Sequence, residues 1–152
     1  SAASDVYKRQ MIHNIPEGLA VGFAFGAAAA MGEYSAYVSA LALAIGIAIQ
    51  NFPEGAAVSL PMKTATGSRG KAFLYGMGSG AVEPVFAVIG YFLAANLTAA
   101  QPWFLAFAAG AMIFVVVEDL IPDAHLSEHP HFGTWGAMLG FAVMMALDVA
   151  LG

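Results

Sequence analysis

The stretch His13-Asn14-Ile15-Pro16-Glu17-Gly18 returns, one apolar segment later, as Gln50-Asn51-Phe52-Pro53-Glu54-Gly55. Both copies lie in long runs of apolar residues, where an ionised side chain is costly unless it is paired. In each copy a ligand-capable side chain, His13 or Gln50, precedes the carboxylate by four residues. That spacing is one helical turn on a shared face. The proline between them removes a backbone donor, is expected to kink the helix and frees a carbonyl. Imidazole, carboxylate, amide oxygen and freed carbonyl together describe a place for a cation.

Composition puts that place in a membrane. Of 152 residues, 60% are hydrophobic and only 10% charged, and the mean hydropathy is +0.75. One soluble core of this size could not cover so much apolar surface. The 17 glycines suit closely packed membrane helices. A net charge of −5 without a basic cluster argues against nucleic acid as a partner. With no cysteine, thiolate ligands and disulfides are excluded.

The apolar runs predict an all-α, polytopic transmembrane bundle of about five helices, two of them carrying the proline motifs. The expected spans are roughly 11–30, 36–61, 71–95, 102–122 and 133–152, each near the ~20 residues that a bilayer requires. Lys63, Arg69 and Lys71 fall in one connection, which is therefore expected on the cytoplasmic side. Residues 11–152 read as a single transmembrane domain. The first ten residues, Ser1 to Gln10, look foreign to it. The second motif has a long apolar lead-in and the first has almost none, so the native upstream part is expected to be missing.

Each candidate ligand has a bland alternative. Glu17 or Glu54 could be protonated and bonded to a carbonyl at a kink, but two matched copies favour a shared metal. His13 alone would be a satisfied core histidine, and its spacing to Glu17 reverses that. Asn14, Gln50 and Asn51 could equally be amides that join helices. Glu83-Pro84 in the third span offers a third intramembrane acid with no Lys or Arg to pair with, for which a metal is the preferred partner. Gly18, Gly22 and Gly26 form a small-residue face for close packing. Glu118, Asp119, Asp123, His125, Glu128, His129 and His131 gather around the end of the fourth span. They read either as solvated edge residues or as an exit station, and Asp148 reads as interfacial.

These motifs resemble those of the ZIP (Zrt-/Irt-like) divalent-metal transporters. The paired HNIPEG and QNFPEG, the intramembrane Glu83-Pro84 and the stretch Val115 to His125 carry the likeness, which is closest to prokaryotic members. It covers about Met11 to Gly152, the family's fourth to eighth helices. The resemblance implies secondary transport of Zn²⁺, with Fe²⁺, Mn²⁺ or Cd²⁺ as other substrates, into the cytoplasm across a bacterial inner membrane. It implies His13, Glu17 and Glu54 as a primary metal site with Gln50 beside it. It further implies Asn14, Asn51, Glu54 and Glu83 as a second site sharing a carboxylate. The implied partners are divalent ions, the lipid bilayer and the missing upstream helices, with a homodimer left open.

Two other classes remain as alternatives. An intramembrane metal-dependent hydrolase would use a glutamate as base, although no HExxH signature is present. A non-transporting metal-binding subunit would bind the ion without moving it.

Overall fold

The computed structural model describes residues 2–122 and 130–151, and the described residues are helical almost throughout. Helix α1 spans Ala2–Met31 and α2 spans Tyr34–Thr66. The third span is divided into α3 (Arg69–Gly80) and α4 (Val82–Asn96). After a short 3₁₀ turn at Thr98–Ala100 come α5 (Gln101–Val115) and, further on, α6 (Pro130–Leu151). Among the described residues, three stretches are long and apolar enough to cross a membrane: Tyr34–Thr66, Arg69–Asn96 and Thr98–Glu118.

The connections are tighter than the hydropathy pattern predicts. Gly32 and Gly67 both have positive φ, 69° and 66°, the left-handed conformation that glycine adopts without steric penalty. Each closes the preceding helix, Gly32 N–H donating to Ala28 O and Gly67 N–H to Lys63 O, both at 2.9 Å. Ser68 then caps α3, its hydroxyl accepting from Lys71 N–H at 3.3 Å. The expected nine-residue connection from Met62 to Gly70 is thus reduced to Gly67 and Ser68. Because Lys63, Arg69 and Lys71 flank this turn, it carries the topology test. The chain has no cysteine of its own. With Lys and Arg held on the cytoplasmic side, Ser68→Cys should resist an impermeant thiol reagent added outside intact cells. Asn96→Cys should react. The reverse labelling would invert the membrane orientation.

Prolines act differently from place to place. Helices α1 and α2 continue through Pro16 and Pro53, whereas the third span is interrupted. There Pro84 cannot donate to Gly80 and its ring crowds that carbonyl. The helix breaks at Ala81, whose N–H turns back to Gly78 O at 3.3 Å. Pro122 has a related effect. The turn before it, Val116–Leu120, is a π-helix closed by Ile121 N–H donating to Val116 O, a wider turn of the kind that accommodates a lost donor.

Packing centres on α1. Its most extensive contact is with α4, followed by α2, while α2 also packs on α3. The glycine face makes the α1–α4 contact possible. A Cβ on Gly18 would lie 2.5 Å from Glu83 O, and one on Gly22 would collide with Ala87 O and lie 2.8 Å from Tyr91 N. Only residues without side chains allow backbones this close. At the other end of α1, Ala3, Val6 and Tyr7 pack with Val58, Met62 and Ala72, and Tyr7 meets Tyr75 edge-on at 5.2 Å. Large apolar side chains such as Phe52, Trp103 and Phe73 point outward, as lipid-facing residues do. Contacts group Ser1–Ala109 and Gly110–Gly152 as two compact units, and all seven candidate ligands belong to the first.

Candidate metal site

Helices α1 and α2 bring the two motifs to the same level. His13 Nε2 lies 3.2 Å from Glu17 Oε1 within α1 and 3.4 Å from Glu54 Oε1 across on α2. One ligand atom from each of His13, Glu17 and Glu54 can be chosen so that all lie within 4.8 Å of one another. Tetrahedral zinc with bonds of ~2.0–2.1 Å separates its ligand atoms by about 3.3 Å. The His13–Glu17 and His13–Glu54 distances therefore already suit a single ion. Glu17 is almost fully buried and its Oε2 has no hydrogen-bond partner. A buried, unpartnered carboxylate oxygen is costly unless a cation or donor fills the space beside it.

Amides surround this centre. Gln50 Nε2 donates to Glu17 Oε1, so the motif's two second-helix positions, Gln50 and Glu54, both meet the first-helix motif. Asn14, also buried, donates from Nδ2 to Ser79 O at 2.8 Å. Asn51 donates from Nδ2 to both oxygens of Glu83, at 2.8 and 2.6 Å, and its own Oδ1 is buried without a partner. Glu83 lies in the first turn of α4, where the helix dipole favours a carboxylate. All seven residues singled out in the sequence thus enter one polar neighbourhood. His13, Glu17 and Glu54 form its ionisable centre, Gln50 touches that centre, and Asn51 pairs with Glu83.

Ser79 carries no motif in the sequence. It matters through its carbonyl, which accepts from Asn14 near the Ala81 break, and its hydroxyl donates to Gly76 O at 2.7 Å. Ser79 is four residues before Glu83, but a backbone carbonyl leaves no mark in the sequence that could have pointed to it. Gln10 donates from Nε2 to Glu54 Oε2 at 2.6 Å and to Asn14 Oδ1 at 2.9 Å. It belongs to the lead-in read as foreign. A bound ion would draw Glu54 toward itself and away from Gln10. Gln10→Leu should therefore change zinc affinity by less than about tenfold, the worth of one hydrogen bond. A loss as large as that from replacing Glu54 would make Gln10 part of the site.

Of the acid and histidine residues near the fourth span, Glu118 is exposed in the π turn and His131 is exposed in the first turn of α6. Asp123, His125, Glu128 and His129 lie outside the described residues, as do the side chains of Asp119 and Asp148.

A helical bundle with apolar spans and a partly buried His/Glu cluster between two matched helices has the character of a membrane protein with a candidate cation site. Residues 10–148 match the family described as ZIP Zinc transporter, and the chain belongs to that family. It is 52% identical over 141 residues to human zinc transporter ZIP11 and 40% identical over 141 residues to zinc transporter GufA of Myxococcus xanthus. Zinc transporter ZIPB of Bordetella bronchiseptica is 42% identical over 142 residues. Each comparison covers 93% of this chain but only 41%, 53% and 44% of the respective relative. The chain therefore spans about half the length of the relatives it matches, or less. Family membership replaces the hydrolase alternative: ZIP proteins are transporters, not enzymes.

Proposed function

We propose that this chain carries the metal-binding part of a secondary transporter that moves divalent cations, zinc above all, across the membrane into the cytoplasm. The convergence of His13, Glu17 and Glu54 ligand atoms within 4.8 Å is the observation that carries this reading. Two carboxylates neutralise a divalent ion, and one imidazole adds the nitrogen that zinc favours over magnesium or calcium. Gln50, Asn14 and Asn51 add neutral amide oxygens or hydrogen bonds, which hold the ligands without deepening the electrostatic well. A carrier needs that moderation, because an ion bound too tightly does not leave. Glu83 extends the polar neighbourhood to α4. The names of the relatives support zinc as the cargo, and Fe²⁺, Mn²⁺ and Cd²⁺ suit the same N/O donors.

Alternating access in such proteins uses non-helical backbone only where it lines a cavity or is buried in protein. The break at Ala81 between α3 and α4, next to the Asn14–Ser79 contact, suits that role. The exposed basic residues at the α2–α3 turn support a cytoplasmic location for that end, and hence influx across a bacterial inner membrane.

The test is zinc flux. Liposomes containing the chain and an internal zinc dye should show uptake that is lost with Glu17→Gln. Zinc binding with no flux in the wild type would instead favour the non-transporting subunit.

A further inference from the structure

We propose that the intramembrane site of this chain holds one divalent cation at a time, because Asn51 and Glu83 engage each other instead of forming a second metal position. The inference rests on the reading of His13, Glu17 and Glu54 as ligands and concerns how many ions that centre admits.

Hydrogen bonding is the first ground. Asn51 Nδ2 donates to both Glu83 oxygens, at 2.8 and 2.6 Å. An amide nitrogen offers hydrogens and no ligand lone pair, so the group facing the Glu83 carboxylate repels a cation. The amide's own oxygen is left buried and unpartnered. That oxygen is neutral and contributes no charge for a second ion.

Charge is the second ground. One divalent ion is neutralised by Glu17 and Glu54. Two ions sharing a site lie about 3.5–4 Å apart and would bring four positive charges against three carboxylates, Glu17, Glu54 and Glu83. Among the described residues no further acid joins the cluster. The excess positive charge would be held in a medium that screens poorly, where two like-charged ions repel strongly. A carboxylate at position 51 would reverse both conditions, since it removes the donor facing Glu83 and supplies the fourth negative charge.

The experiment is stoichiometry. The full chain in detergent is dialysed to equilibrium against excess Zn²⁺, and zinc and protein are then measured in the same sample. One zinc per chain is expected for the wild type and for Asn51→Ala, and a doubling to two for Asn51→Asp. Two in the wild type overturns the inference while leaving the three-ligand centre intact. Asn51→Asp that melts like the wild type yet stays at one also overturns it. No zinc bound by the wild type would instead remove the site on which the inference rests. Mn²⁺ electron paramagnetic resonance on the unmodified chain needs no variant. An isolated-ion spectrum is expected, and an exchange-coupled pair would overturn the inference.

Discussion

Replacing Glu54 with glutamine should lower zinc affinity by about 100-fold or more. Glu54 is the acid that α2 contributes to the centre, and its Oε1 lies 3.4 Å from His13 Nε2. Removing one member of a buried charge set typically costs ~3–5 kcal/mol, because the remaining charge is left uncompensated. Glu54 keeps 21% of its side chain exposed, so the lower end of that range applies. About 3 kcal/mol is roughly two powers of ten in affinity. Glutamine preserves shape and keeps an acceptor for Gln10, so the loss reports charge and not packing. Isothermal titration of detergent-purified protein measures it, with Glu33→Gln in the exposed α1–α2 turn as the silent control. Affinity close to wild type would take Glu54 out of the centre.

The second large effect is expected at a residue with no chemistry at all. Gly22→Leu should lower the melting temperature and weaken zinc binding together. A Cβ there would collide with Ala87 O and approach Tyr91 N to 2.8 Å. Backbone cannot rotate away as a side chain can, so α1 and α4 must separate. Overpacking of this sort costs about 1–3 kcal/mol. Binding suffers as well, because α4 carries Glu83, which holds Asn51 on the α2 motif. Gly110→Ala is the matched control: a Cβ there meets nothing within 4 Å, and alanine is the better helix former. A Gly22→Leu protein with an unchanged melting point would mean that α1 and α4 are not packed through this face.

Local chemistry made the candidate metal centre legible in the sequence. His13 and Glu17 are four residues apart, and a helix places such a pair on one face whatever surrounds it. The duplicate at Gln50 and Glu54 signalled a second helix doing the same. The glycine spacing at 18, 22 and 26 announced a close contact for the same periodic reason, although not its partner. Hydropathy gave the helical bundle and its approximate spans. Family membership rests on the same motifs and on the match over residues 10–148.

Other features depend on which helix stands beside which, and no short-range rule encodes that. Proline illustrates the difference. Pro16, Pro53 and Pro84 each adjoin a glutamate, yet of these three only Pro84 lies beside an interruption of the helix. Ser79 has no signature because its role lies in a backbone carbonyl, which every residue possesses. It became specific only when the break at Ala81 and the approach of α1 set Asn14 2.8 Å away. The pairing of Asn51 with Glu83 likewise joins residues 32 positions apart, through a packing of α1 on α4 that the glycines permit. The sequence alone determined the membrane environment, the helices and the ligand types, since hydrophobicity and the helical period act within a few turns. Only the tertiary structure decided which ligands share a centre and which hold one another, because hydrogen bonds and charge neutralisation act over about 3 Å between helices distant in the chain.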